Sequence, residues 1–142
     1  MHKPINILFL CVANSARSQL AEGLAEALFG NKARIQSAGS VPSGSVQPWA
    51  IEVLKDDGID ISQNWSKSYE QLSSEFVEKL DFVITLCAGE ICPSMASKAQ
   101  RLHWPIPDPA AAPEDEKSEA FKSAKLMIMG KLLDFGKEQG LI

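Results

Sequence analysis

The sequence has little of what would assign it to several common classes of protein. Its 142 residues include three cysteines, two histidines and one tyrosine. No apolar run approaches the roughly 18 residues that a membrane-spanning helix needs. An odd and small number of cysteines does not suit a disulfide framework and suits a thiol enzyme better. The net charge of −4 argues against non-specific binding to nucleic acid.

Two further absences bear on localisation and domain organisation. The chain begins Met1-His2-Lys3-Pro4 and enters an apolar segment without the pattern of a cleaved signal peptide, so we expect a cytoplasmic protein. No internal repeat, low-complexity tract or linker divides the sequence, which is long enough for one sizeable core. We therefore expect a single domain over residues 1–142, monomeric, that binds neither nucleic acid nor a membrane.

A cysteine and an arginine lie at the two ends of one short loop near the start of the chain. Residues 5–10 form an apolar run typical of a buried parallel strand, and leucines and alanines recur at helical spacing after Ser18. Between these two segments lies Cys11, followed by an oxyanion loop that consists of Val12, Ala13, Asn14, Ser15, Ala16 and Arg17. The glycine-rich motif of a nucleotide-binding loop is absent.

This arrangement of residues favours oxyanion chemistry. Backbone N–H groups of a loop that opens a helix bind anions, and Arg17 can hold two oxygens of a tetrahedral oxyanion. The same positive surroundings favour the thiolate form of Cys11, which makes it a nucleophile. A lone cysteine after a strand is usually a small buried hydrophobe, but the arginine at fixed distance and the adjacent Ser18 argue for the reactive thiol.

Strands and helices alternate along the rest of the chain. Further strands are predicted at residues 33–37, 82–86 and 100–104, with a short extended segment at 59–62. Helices are predicted at 48–58, at 69–80 with a break near 73–74, and over the C-terminal segment that carries Phe121, Ala124, Ile128, Leu132 and Phe135 on one face. This alternation predicts an α/β fold with a four-stranded parallel sheet and helices on both faces. Cys11, Cys87 and Asp108 all follow predicted strands, so we expect them at the same edge of the sheet.

The motifs together resemble those of the low-molecular-weight protein tyrosine phosphatase superfamily, and within it the thioredoxin-coupled arsenate reductases. The likeness covers nearly the whole chain and rests on these segments: Cys11 to Gln19, Ala21-Glu22-Gly23, Ser37-Ala38-Gly39, Gly58-Ile59-Asp60-Ile61-Ser62, Thr85-Leu86-Cys87, Cys92-Pro93, His103-Trp104 and Asp108-Pro109-Ala110. It implies a low-molecular-weight phosphatase-like fold with a four-stranded parallel sheet.

The resemblance also implies a reaction, the reduction of arsenate to arsenite in arsenic detoxification. Cys11 would attack arsenic, with its thiolate hydrogen-bonded by Ser18, and Asp108 would act as the general acid. Cys87 would then attack Cys11 and release arsenite, and Cys92 would move the disulfide to Cys87–Cys92. Thioredoxin would be the external reductant, and no bound cofactor is implied.

A cation site is a second feature implied by the resemblance. Asn14, Glu22 and Ser37 match residues that bind potassium in several members, but Lys67 stands where those members have an acidic ligand. The three residues therefore form at most a vestigial cation site, and we expect no other metal ion. Lys67 is either an exposed lysine or an ammonium that supplies the positive charge of the missing potassium.

Three functions compete at this point: a reductase with three thiols, a phosphomonoesterase acting on phosphotyrosine proteins, and an oxyanion-binding module. The first two both use Cys11, Arg17 and Asp108. Cys87 and Cys92 favour the reductase. For an arbitrary pair of cysteines the simpler interpretation is one buried thiol and one surface thiol that share no role. A zinc site is disfavoured because no second pair of ligands is available. A binding module would have no use for a general acid.

Overall fold

Four parallel strands form one sheet in the computed structural model, which describes residues 3–89 and 97–142. The strands are β1 Ile5–Cys11, β2 Ala33–Gly39, β3 Leu80–Thr85 and β4 Gln100–His103, in the spatial order β2-β1-β3-β4. β1 is central: Cys11 lies opposite Gly39 of β2, and Leu10 lies opposite Thr85 of β3. The predicted four-stranded parallel sheet is confirmed.

Helices cover both faces of this sheet. They are α1 Arg17–Phe29, α2 Pro48–Lys55, α3 Ser74–Glu78 and α4 Lys117–Glu138. Because side chains alternate along a strand, Ile7 and Phe9 face the core under α1, α2 and α4. Leu8 and Leu10 face the opposite side, under α3 and the short turn Tyr69–Gln71. Within residues 3–89 and 97–142, no helix combines the length and the apolar character needed to cross a membrane.

The C-terminal helix packs as its sequence pattern predicts. The five apolar residues of its predicted inner face are all buried: Phe121, Ala124, Ile128, Leu132 and Phe135. The Phe135 ring meets Phe82 of β3 edge to face at 5.0 Å between centroids, and lies 5.9 Å from the ring of Trp104. These aromatic contacts fix α4 against the sheet.

Residues 59–62, expected to form a short extended segment, lie in a loop outside the four strands. Ile59 and Ile61 pack against Gly23 of α1, where a Cβ atom would lie 2.8 Å from the Ile61 side chain. These apolar side chains reflect burial against a helix, which a short alternating pattern does not distinguish from strand pairing.

The predicted break in the helical stretch 69–80 is confirmed. Ser73 caps the start of α3, where its Oγ accepts a hydrogen bond of 3.2 Å from the Phe76 N–H. The stretch ends earlier than expected, because Leu80 already belongs to β3. Cys92 lies outside the described residues.

Candidate active site

The oxyanion loop between β1 and α1 has its carbonyl groups bound by other parts of the chain. Three of its carbonyl oxygens accept backbone hydrogen bonds of 2.8–3.0 Å from the segment after β2, in the pairs Val41 to Val12, Ser43 to Ala13 and Gln47 to Ser15. In a trans peptide the N–H of the next residue points away from the carbonyl. The amides that follow these carbonyls are therefore turned to the opposite side of the loop, as an anion-binding loop requires.

Arg17, the first residue of α1, joins the loop to the ends of two other strands. Its buried guanidinium donates from Nη1 to the carbonyl oxygens of Leu86, at 3.4 Å, and Ile106, at 3.0 Å. Leu86 follows β3 and Ile106 follows β4. The position of Arg17 is thus set by the carboxyl edge of the sheet.

Asp108 faces this arginine from the loop after β4. One of its oxygens, Oδ1, accepts a hydrogen bond of 3.0 Å from the Ala110 N–H, and Oδ2 lies 3.9 Å from Nη2 of Arg17. The carboxyl is partly exposed and lies between two prolines, which restrict its backbone. An acid in this position can reach an oxyanion that Arg17 holds.

Cys11 has a hydroxyl group as its immediate neighbour. Its buried Sγ lies 2.8 Å from Ser18 Oγ, which also accepts a 2.8 Å hydrogen bond from Asn14 Nδ2. The Asn14 amide is oriented by its other end, since Oδ1 accepts from the Lys67 N–H at 2.9 Å and from Gln19 Nε2 at 3.1 Å. Because Ser18 Oγ accepts from Asn14, its single hydrogen is available to the Cys11 sulfur.

The loop also approaches the end of β2 very closely. Asn14 adopts a left-handed backbone conformation with φ of 48°. A Cβ atom on Gly39 would lie 2.3 Å from the Val12 carbonyl oxygen and 3.0 Å from the Asn14 nitrogen. The path of the loop therefore requires a residue without a side chain at position 39.

Cys87 lies beside this loop because its strand neighbours β1. It is buried, and the preceding residue, Leu86, donates its N–H to the Leu10 carbonyl at 3.0 Å. Cys11 and Cys87 thus each follow one member of a hydrogen-bonded pair, Leu10 and Leu86. The expected convergence of Cys11, Cys87 and Asp108 at one edge of the sheet is confirmed.

Asn14, Glu22 and Ser37, the proposed cation ligands, are in hydrogen-bonded contact. Ser37 Oγ donates to Glu22 Oε1 at 2.5 Å and accepts from Asn14 Nδ2 at 3.0 Å. Lys67 is buried, with its Nζ 3.8 Å from Glu22 Oε1, so the alternative of an exposed lysine is wrong. Desolvation by burial raises the pKa of Glu22, while the Ser37 hydrogen bond and the Lys67 charge oppose this.

These side chains do not fit a metal ion. Asn14 presents its N–H₂ group to Ser37, and the ammonium of Lys67 brings a positive charge to the Glu22 carboxylate. Among the described residues, no group of three or more His, Cys, Asp or Glu side chains could hold a metal.

Two residues of the site escaped prediction, Asn64 and Ser66. Asn64 Nδ2 donates to Glu22 Oε2 at 3.1 Å and to Gln19 Oε1 at 3.2 Å, and Ser66 Oγ donates to the Ala13 carbonyl at 2.9 Å. Both lie in a polar loop without periodicity, so only the tertiary structure shows their role.

The fold and the loop define a family of cysteine-dependent phosphatases. The chain belongs to the low molecular weight phosphotyrosine protein phosphatase family, whose model matches residues 6–133. Within that family its similarity is to arsenate reductases. It is 37% identical to the arsenate reductase of Halalkalibacterium halodurans, over 96% of this chain and 98% of the relative.

Two solved structures extend the likeness. An arsenate reductase in the phosphate-binding state superposes with a TM-score of 0.76 at 29% identity, over 94% of this chain and 98% of the other. The thioredoxin-dependent arsenate reductase of Corynebacterium glutamicum gives a TM-score of 0.72 at 29% identity, over 99% of this chain and 65% of the other.

The contact between β2 and the loop gives a first prediction. Gly39→Ala should destabilise the protein by about 1–3 kcal/mol, because its Cβ meets backbone atoms that cannot turn away. Gly130→Ala is the matched control: it lies in α4 with no atom within 4 Å of the added Cβ. It should stabilise by about 0.5–1 kcal/mol through helix propensity. Urea denaturation measures both, and a Gly39→Ala protein as stable as the wild type would contradict the close approach.

Proposed function

We propose that this protein is an arsenate reductase in which Cys11, Cys87 and Cys92 pass electrons from thioredoxin to arsenate. The observation that carries the proposal is the position of Cys87. It is buried two residues after β3 ends, and β3 pairs with the strand that ends in the nucleophile Cys11. Ester hydrolysis needs Cys11, Arg17 and Asp108 but has no use for a second buried thiol at this edge. The similarity to arsenate reductases supports the same choice.

The first step forms a bond between sulfur and arsenic. Arsenate binds with its oxygens on the loop amides and the Arg17 guanidinium, and the Cys11 thiolate attacks arsenic. Ser18 donates its hydrogen bond to this thiolate. Asp108 gives its proton to the oxygen that departs, which leaves as water.

The second step transfers two electrons. The Cys87 thiolate attacks the Cys11 sulfur, a Cys11–Cys87 disulfide forms, and the bond between sulfur and arsenic breaks. Its electron pair stays on arsenic, which leaves as arsenite. Cys92 then attacks Cys87 and frees Cys11, and the dithiol of thioredoxin reduces the Cys87–Cys92 disulfide. A relative described as thioredoxin-dependent supports this external reductant.

Phosphatase activity is the second candidate, because it is the activity for which the family is named. Phosphate and arsenate are both tetrahedral oxyanions, so the same loop serves both. Asp108 and Pro109 are followed by alanines, which are too short to clamp a phenyl ring. We therefore expect slow hydrolysis of small aryl phosphates as a side activity.

One assay separates the two candidates. Purified protein with thioredoxin, thioredoxin reductase and NADPH should oxidise NADPH only when arsenate is added. Hydrolysis of aryl phosphate without any arsenate-dependent oxidation would instead establish a phosphatase.

The relay predicts that two activities separate in cysteine variants. Cys87→Ser and Cys92→Ser should each abolish turnover of arsenate with thioredoxin but keep hydrolysis of a small aryl phosphate, which needs only Cys11, Arg17, Asp108 and water. Cys11→Ser should lose both activities. Wild-type turnover of arsenate by Cys92→Ser would refute the three-thiol relay.

The general acid gives a separate prediction. Asp108→Asn should slow formation of the Cys11 adduct with arsenate by about 10²–10⁴-fold, the usual contribution of a positioned acid, and should leave the fold intact. Asp115→Asn, an exposed acid just before α4, is the control and should react at the wild-type rate. Single-turnover kinetics measure the step, and an unchanged rate in Asp108→Asn would remove this residue from the mechanism.

A further inference from the structure

Lys67 is a buried cation outside the oxyanion loop, and the reaction described above does not use it. Only 5% of its surface is exposed, although a free ammonium is strongly hydrated. Its Nζ lies 3.8 Å from Glu22 Oε1 and 5.3 Å from the centre of the Trp65 ring. A buried charge of this kind requires compensation, and Glu22 provides it.

From Glu22 a chain of hydrogen bonds leads to Cys11, and the ionised groups at its two ends determine its direction. Ser37 donates its single hydroxyl hydrogen to Glu22, so its oxygen is left to accept from Asn14 Nδ2. The second N–H of that amide goes to Ser18 Oγ, which lies 2.8 Å from Cys11 Sγ and donates to it when Cys11 is a thiolate, since a thiolate can only accept. An ionised Glu22 can only accept, which fixes this direction, whereas a protonated Glu22 could also donate to Ser37.

The ionisation of Glu22 is opposed by its burial. Desolvation raises the pKa of Glu22, and the Ser37 hydrogen bond and then the Lys67 charge offset part of this rise. Glu26, one turn further along α1, also faces this group, and its pKa is raised by desolvation and by the Glu22 charge. Arg17 and Asp108 are the charged groups near the other end of the chain of hydrogen bonds.

We propose that Lys67 is a positioning residue for Cys11: its buried ammonium takes the place of a monovalent cation beside the Glu22 carboxylate and so fixes the chain of hydrogen bonds that ends at Cys11. The inference rests on Cys11 being the nucleophile of the proposed function, whether the substrate is arsenate or a phosphate ester. It implies that the wild-type protein needs no potassium at this position.

The test is the titration of the Cys11 thiolate, followed by its ultraviolet absorbance. Replacing Cys87 and Cys92 by serine leaves Cys11 as the only thiol of the chain. In that background Lys67→Met, which keeps length and loses charge, should move the midpoint of the titration to higher pH by about half a unit or more. If the methionine variant folds poorly, Lys67→Gln serves as the second neutral variant, because its amide can still donate a hydrogen bond to Glu22.

Rescue by an added cation distinguishes the effect of the Lys67 charge on the titration from the effect of its packing. Lys67→Ala leaves room at Glu22, so potassium or ammonium chloride, at constant ionic strength against sodium chloride, should return its midpoint toward the wild-type value. In Lys67→Met the methionine side chain fills the space beside Glu22, so the midpoint should not change with the added cation. Lys79→Met is the control, since Lys79 forms a similar pair with Glu75 at 3.3 Å but is 63% exposed. It should titrate as the wild type does.

Three results would overturn the proposal. The first is a midpoint of the Cys11 titration that is unchanged in the neutral variants. The second is a displaced midpoint in Lys67→Ala that neither potassium nor ammonium restores. The third is a potassium-specific shift of the midpoint or of the melting temperature in the protein that retains Lys67. None of these measurements uses arsenate or thioredoxin. A failure of the reductase assay is therefore distinguishable from a failure of this inference.

Discussion

The conformation of the oxyanion loop depends on the side-chain amide of Asn14. Its N–H₂ group donates to Ser18 and Ser37, and its oxygen accepts from Gln19 and from the Lys67 backbone. Each such partner matters because an unsatisfied polar group in a buried site costs about 1–3 kcal/mol. The residue also tolerates the left-handed backbone that turns the loop, which most residues do not. One side chain thus sets the path of the loop and the direction of the hydrogen bond at Cys11.

Arg17 couples this loop to the rest of the sheet. Its guanidinium donates hydrogen bonds to carbonyl groups that follow β3 and β4. Arg17 therefore connects the loop that follows β1 to the ends of two other strands. These two carbonyl groups accept hydrogen bonds from Nη1 but carry no full negative charge. The partly exposed carboxylate of Asp108 lies 3.9 Å from Nη2. A tetrahedral oxyanion held by the loop would bring further negative charge to this buried guanidinium.

Local sequence patterns predicted the elements and the residues that stand at strand ends. The apolar runs of β1 and β3 and the single apolar face of α4 are local signals, and the topology of a parallel sheet then gathers Cys11, Cys87 and Asp108. The alternating pattern at Ile59 and Ile61 indicated a short extended segment but did not show that both side chains pack beside Gly23 of α1. Sequence patterns also missed Asn64 and Ser66, because a loop that hydrogen-bonds to a distant loop carries no periodicity.

Phosphate and arsenate are both tetrahedral oxyanions, so the distinction between them in the proposed mechanism lies in its second step. Attack of Cys87 on the Cys11 sulfur requires the bound element to keep the electron pair of its bond to sulfur. Arsenic(V) accepts two electrons readily and leaves as arsenite, whereas phosphorus(V) does not leave as phosphite under such conditions. In the proposed mechanism a phosphorylated Cys11 would be hydrolysed by water, and an arsenylated Cys11 would be resolved by Cys87, which follows the strand next to β1. The reactivity of the bound element, and not the shape of the loop, would then be the basis of selection.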